Sequence, residues 1–363
     1  MGMSNQKIFF KISSSVVLLL FGSSVIFPAV HSQSQEALFY PQRGMCYVTW
    51  EKDRFSSQYS NESLQKLVSI GVDYISICVT YYQEKYNSTE IKATEQTPSD
   101  KSIQYVIKNA HKLGLKVMLK PHVDLIDRYD GTYWRADIGF VTEEDWEKWF
   151  KEYEKIILHY AQMCKEYEVE LYCVGTELSF TAQKESRWRD LIAKVRAECS
   201  SQLVYAANWN DYKDVNFWDV LDYVGIDAYF PISTKSTPTL EDLISGWKKW
   251  ECEIESWLET VNKKIVFTEI GYPSTSHAAI TPWENPTGGN PDVDIQAICY
   301  KAFFETIWNE PWLAGVYWWK WDTNVNAGGK NNRQFTPQNK PAQEIVELNY
   351  KNVASRDTDA ESA

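Results

Sequence analysis

Short apolar runs alternate with longer stretches of helical periodicity along most of the chain. The runs cover residues 44–48, 74–80, 116–120, 171–175, 203–207, 223–226, 265–268 and 315–318, and each is rich in β-branched or aromatic side chains. Runs of this kind read as buried strands. Between them, apolar residues recur at helical spacing over 61–70, 102–113, 143–167, 188–199, 240–261, 293–308 and 342–350. Thr142 ahead of Glu143, Glu144 and Asp145 reads as a capped helix start with acid in the first turn. The fifth helix, near 213–220, has the weakest pattern. Eight strand–helix units in succession predict an α/β chain folded as a single (β/α)8 TIM barrel. An open, doubly wound sheet is the alternative, but no Gly-x-Gly-x-x-Gly follows the first strand.

The repeating pattern fills residues 38–350 and leaves a polar tail over 351–363. Residues 1–32 stand outside it. There, Lys7 and Lys11 precede an apolar stretch over 15–27, and Val30-His31-Ser32 offers a small-residue cleavage site. This is the layout of a secretory signal peptide, so the mature protein is expected to be secreted or extracytoplasmic. Gly22, Ser23 and Ser24 interrupt the apolar part, which is shorter than the roughly 20 residues of a spanning helix. A retained anchor is therefore the weaker alternative, and no membrane association is expected after cleavage.

Composition narrows the partners. The net charge of −12, from 37 basic and 49 acidic residues, disfavours nucleic acid and anionic lipid and suits a neutral ligand. The 16 Trp, 22 Tyr and 15 Phe exceed what an ordinary core needs, and flat aromatic faces are what sugar rings stack against. Many of them also simply fill a large core. Seven cysteines show no Cys-x-x-Cys pair. Cys46, Cys78 and Cys173 sit in strand-like runs as small buried hydrophobes, although export would permit a disulfide. The five histidines are scattered without ligand spacing, so no metal and no cofactor is expected. No Gly-x-Ser-x-Gly elbow suggests a serine nucleophile.

Two glutamates carry the candidate chemistry. Glu177 ends the fourth run in Leu171-Tyr-Cys-Val-Gly-Thr-Glu-Leu178, and Glu269 ends the seventh in Ile265-Val-Phe-Thr-Glu-Ile-Gly-Tyr272. Charged side chains are rarely buried without partners, so two of them at strand ends suggest an acid and a nucleophile facing one pocket. In an eight-stranded barrel these ends face each other across the mouth. A separation of about 5–5.5 Å would be that of a retaining glycosidase. Long loops over 83–100, 124–141 and 273–291 follow the second, third and seventh strands on the face where barrel active sites form, and are expected to shape a cleft.

The motifs Lys120-Pro-His-Val-Asp124, Val174-Gly-Thr-Glu-Leu178, Val224-Gly-Ile-Asp-Ala-Tyr-Phe-Pro231, Phe267-Thr-Glu-Ile-Gly-Tyr-Pro-Ser274 and Gly315-Val-Tyr-Trp-Trp-Lys-Trp321 span nearly the whole mature chain. Together they resemble glycoside hydrolase family 113, the β-mannanases. The wider superfamily comprises retaining glycosidases with the acid/base after strand four and the nucleophile after strand seven. The resemblance implies that Glu177 is the acid/base and Glu269 the nucleophile, acting on β-1,4-mannosidic bonds. One departure is Thr176, where most relatives in the superfamily carry an Asn that bonds the sugar 2-hydroxyl. Asn208, ending the fifth strand, is the candidate replacement, because that hydroxyl is axial in mannose.

Other residues are expected to support the pair. Tyr229 can donate to the nucleophilic carboxylate or stand as a rim aromatic. His122 can reach a sugar hydroxyl or a carboxylate. Strand alternation lets one of Trp318, Trp319 and Trp321 floor the cleaved sugar's site, and Trp319 is chosen. Trp50 and Trp134 either line further sugar sites or pack beneath their loops, while Asp124 and Asp227 are read as structural. The partner is then a β-linked oligo- or polysaccharide. The alternatives are another retaining β-glycanase, for xylan, glucan or galactan, and a secreted carbohydrate-binding barrel without turnover.

Overall fold

The computed structural model describes residues 41–361, with side chains through 352, so the signal-like stretch lies outside the described residues. Eight strands, β1 (Gln42–Val48), β2 (Tyr74–Gln83), β3 (Lys116–Leu125), β4 (Leu171–Thr176), β5 (Gln202–Asn208), β6 (Tyr223–Asp227), β7 (Ile265–Ile270) and β8 (Leu313–Asp322), close in chain order into one parallel barrel. The closing register pairs Gln42 with Gly315 and Met45 with Trp318. Around it lie α1 (Gln58–Ser69), α2 (Asp100–Lys112), α3 (Glu143–Glu166), the single turn α4 (Ser179–Ala182), α5 (Glu185–Glu198), α6 (Leu240–Val261), α7 (Val293–Thr306) and α8 (Pro341–Glu361). The fold is the expected (β/α)8 TIM barrel. Among the described residues, no helix is long and apolar enough to cross a membrane.

Local chemistry sets the helix starts, with α3 and α6 beginning where the pattern placed them and α1 and α2 two or three residues earlier. Ser57, Ser99, Thr142 and Thr239 each accept a backbone N–H three residues on, at 3.1–3.3 Å. Asp242 returns the bond to Thr239 in a capping box.

Two helices differ most from expectation. The fifth helix near 213–220 does not form; 3-10 turns at Tyr212–Asp214 and Trp218–Val220 take its place. The segment is rich in Asp and Asn, which compete with helical backbone bonds, and its aromatic rings seal the barrel instead. Phe217 stacks on Trp188 at 5.5 Å, and Trp218 Nε1 donates to the Tyr212 carbonyl at 3.0 Å. The last helix runs on to Glu361, so much of the polar tail is helical.

Two cores result. A large one packs the strands' outer faces against the helices. A smaller one fills the barrel with Cys46, Val48, Cys78, Met118, Leu171, Cys173, Val204, Ala206, Val266, Ala314 and Tyr317. All seven cysteines are free, and six are buried. Most of the aromatic excess is core: Trp149, Trp188, Trp247, Trp318 and Trp321 are fully buried. Strands β2, β3 and β8 extend past their expected ends, which lifts His122, Trp319 and Lys320 to the barrel mouth.

Candidate active site

The strand C-termini and the loops above them enclose a cleft of about 870 Å³, within the range of ligand sites. Glu177 and Glu269 both line it, as do Trp50, His122, Trp134, Asn208, Tyr229 and Trp319. All eight expected site residues therefore converge.

Glu177 is held by an unusual backbone. It follows β4 with φ +52°, a left-handed conformation disfavoured for a residue with a Cβ. Its N–H donates to the Ala206 carbonyl at 2.7 Å, and the next N–H, of Leu178, donates to Tyr205 Oη at 3.0 Å. Gly175 makes the approach possible, since a Cβ there would lie 2.6 Å from Trp188 and 2.9 Å from Tyr205. The Glu177 carboxylate accepts from Arg135 Nη1 at 3.2 Å. Burial, then the nearby Asp227 charge, push its pKa well above the usual carboxylate range, against the pull of Arg135, with Glu269 adding a smaller push.

Glu269 sits in a different environment. Its Oε1 accepts from Lys120 Nζ at 2.5 Å and its Oε2 from Tyr229 Oη at 2.7 Å. Burial and the Glu269 charge hold the Tyr229 phenol neutral and able to donate. Lys120 also grips both Asp227 oxygens, at 2.9 and 3.1 Å, and Thr268 Oγ1 donates to Asp227 at 2.7 Å. All of these groups are buried. Burial alone would lower the Lys120 pKa, but the Asp227 and Glu269 carboxylates override it and keep the ammonium charged. Burial and the Glu269 charge raise Asp227 to about 7 while Lys120 opposes them.

Arg135 joins the two halves of the site. It donates to His122 Nδ1 at 3.1 Å as well as to Glu177, and is itself held by Asp124 at 3.1 Å. With Nδ1 accepting, the ring proton resides on Nε2, which is buried without a hydrogen-bond partner, 3.7 Å from Glu269 Oε1. Burial and the Arg135 charge keep this imidazole neutral. Cys78, His122 and Glu269 bring potential ligand atoms within 4.8 Å of one another. The donor set does not suit a metal, because the His122 lone pair is spent on Arg135 and Lys120 occupies Glu269 Oε1.

The aromatic lining is uneven in role. Trp318 and Trp321 are core, and Trp319 faces the cleft, stacked at 15° to His122 with centroids 6.4 Å apart. Lys320 Nζ lies 4.3 Å from the Trp50 ring centre. Trp209 and Trp283 stack at 5.2 Å on the cleft wall. Thr176 donates to the Pro121 carbonyl at 3.3 Å and is buried. Asn208 Oδ1 is taken by the Trp209 N–H at 2.8 Å, which leaves its amide nitrogen to address a ligand. Asp124 holds Arg135, and Asp227, read as a structural residue, instead holds the Lys120 ammonium that touches Glu269.

Sequence reasoning passed over Lys120, Arg135, Lys320, Trp209 and Trp283. Lys120 had a signal, since a lysine inside an apolar run raises the same question as the two glutamates. Arg135 lies in a long loop and had none.

A parallel eight-stranded barrel with one glutamate after the fourth strand and another on the seventh, in an aromatic cleft, is the architecture of a glycoside hydrolase. The family model of Glycoside Hydrolase Family 113 matches residues 45–340, and the chain belongs to that family. Among solved structures it is similar to a GH113 β-1,4-mannanase complex, with 26% identity and TM-score 0.78 over 86% of this chain and 99% of that one. It is similar also to the GH113 β-mannanase AaManA from Alicyclobacillus acidocaldarius in complex with ManMIm, with 28% identity and TM-score 0.78 over 87% and 98%. A β-D-glucuronidase of Dictyoglomus thermophilum shares the fold alone, at 14% identity and TM-score 0.58 over 86% of this chain and 50% of that one. No curated protein sequence matches the chain.

Proposed function

We propose that this glycoside hydrolase cleaves β-1,4-mannosidic bonds in mannan or mannooligosaccharides with net retention. The carrying observation is the contrast between the two glutamates, one with its pKa raised by burial, the other gripped by an ammonium and a phenol. The similar family 113 structures are those of β-mannanases, which supports the substrate.

In the first step Glu269 attacks the anomeric carbon from the α face while Glu177 gives its proton to the departing glycosidic oxygen. The bond to the leaving sugar breaks and an α-mannosyl ester forms on Glu269. That ester removes the Glu269 charge, one of the causes raising the Glu177 pKa, so the carboxylate left on Glu177 becomes easier to keep ionised. It then takes a proton from water attacking the β face, the ester breaks, and both glutamates return to their starting states. Trp319 floors the reacting sugar, and the His122 Nε2–H and the Asn208 amide address its hydroxyls. Trp50 and Trp134 line neighbouring sugar positions.

A hydrolysis screen over mannan, glucomannan, xylan and β-glucan, with NMR of the first-formed anomer, tests this reading. Mannan cleavage with the β-anomer appearing first is expected. An α-anomer would overturn the mechanism, cleavage confined to xylan or β-glucan would reassign the substrate, and binding without turnover would make the barrel a lectin.

The pH profile carries a signed expectation. Glu177 must be protonated in the first step, so kcat/KM falls as pH rises through its elevated pKa. Arg135 pulls that pKa down, so Arg135→Met moves the alkaline limb to higher pH. A limb that stays in place or moves to lower pH contradicts the assignment of Glu177 as the acid.

A further inference from the structure

The fold buries a full positive charge directly against the glutamate that becomes an ester. Lys120 lies on β3 inside the barrel, fully buried, with its Nζ 2.5 Å from Glu269 Oε1 and bonded to both oxygens of Asp227. Such a cation has opposite effects on the two chemical steps. It stabilises the Glu269 carboxylate before attack, which makes that carboxylate a weaker nucleophile. It stabilises the same carboxylate again as it departs from the sugar, which makes it a better leaving group. Tyr229, a neutral donor on the other oxygen, supplies orientation with far less charge. The cation cannot drift, because Asp227 and Thr268 fix the far side of the cluster.

We propose that Lys120 acts chiefly on the second step, as the group that lets Glu269 leave the mannosyl ester, and that Asp227 is the positioning residue that holds Lys120 in place. The inference rests on the double-displacement reading given above. No bond to Lys120 forms or breaks. As water attacks the anomeric carbon, the electron pair of the ester C–O bond returns to Glu269, and the fixed ammonium meets that charge as it develops. The water proton goes to Glu177.

The test is a kcat against KM split on an aryl β-mannoside whose leaving group departs readily, so that the first step is fast. Lys120→Met is expected to lower kcat by about 10²–10³-fold, the magnitude of losing one charge-stabilising donor, with KM falling alongside it, so that kcat/KM changes less than about tenfold. Intact-mass measurement should then find protein carrying one mannosyl unit during turnover. Equal losses in kcat and kcat/KM, with no adduct, would overturn the proposal and leave Lys120 as a scaffold for Glu269. Lys120→Met/Asp227→Asn, which removes both charges of the buried pair, repeats the measurement if the single variant melts too low. Asp227→Asn alone should show the same split more weakly, and an unchanged kcat there would refute the positioning role. The parent protein is first treated with a 2-deoxy-2-fluoromannosyl fluoride. Failure to form any adduct would sink double displacement itself, a different result from an adduct that forms and whose breakdown ignores Lys120.

Discussion

Glu269→Ala is expected to lower kcat on mannooligosaccharides by about 10⁴-fold or more, because it removes the carboxylate that forms the ester in the proposed mechanism. Glu177→Ala should fail on the natural substrate to a similar extent, yet retain its first step on an aryl mannoside that needs no proton. Azide separates the two roles. In Glu269→Ala it enters the α face left empty by the carboxylate and yields the α-mannosyl azide. In Glu177→Ala it attacks the accumulated α-mannosyl ester from the opposite face and yields the β-azide. The products are distinguished by NMR coupling, and exchanged products would reverse the assignment. The environments argue for the stated order. Glu177 is a desolvated carboxyl with the Asp227 charge nearby, whereas Glu269 is aimed by Lys120 and Tyr229.

Lys120→Met is expected to cost about 3–5 kcal/mol of folding stability, in addition to its kinetic effect. The wild-type cluster places one fully buried ammonium between two buried carboxylates. Removing the cation leaves Asp227 and Glu269 facing each other without compensation, which pushes Asp227 further above its already raised pKa of about 7. The companion change Asp227→Asn removes the surplus negative charge. The double variant should therefore regain more than half of the loss, as read by urea unfolding. If the double variant is no more stable than Lys120→Met, the ion pair is not the source of the effect. Lys120→Arg is expected to be a poor substitute, because a planar guanidinium cannot address Asp227 and Glu269 from one point.

The sequence made the barrel readable because strands buried on both faces leave continuous apolar runs, and those runs recur eight times. The glutamates were readable for the complementary reason: each interrupts such a run with a charge that a fold does not bury idly. Lys120 obeys the same logic, but its partners lie 107 and 149 residues away, and sequence alone does not say which carboxylates a lysine will meet. Arg135 was hidden further, since it reaches the site from a loop whose path depends on its own bond to Asp124. The missing fifth helix shows the limit of periodicity. Residues 213–220 carry apolar side chains at intervals a helix could use, yet stacking of Phe217 on Trp188 covers that flank of the barrel without one.

The left-handed backbone at Glu177 sets the acid/base role proposed for it against heat resistance. A side chain forced into that conformation costs about 1–2 kcal/mol relative to a residue without a Cβ. Glycine at 177 would release that strain and also spare the molecule a buried carboxyl, while removing the proton donor of the mechanism proposed above. A directed-evolution campaign scored on thermal survival alone would therefore be drawn toward inactive molecules at this one codon. Screens for hardier variants of this hydrolase need a turnover readout alongside the melting curve.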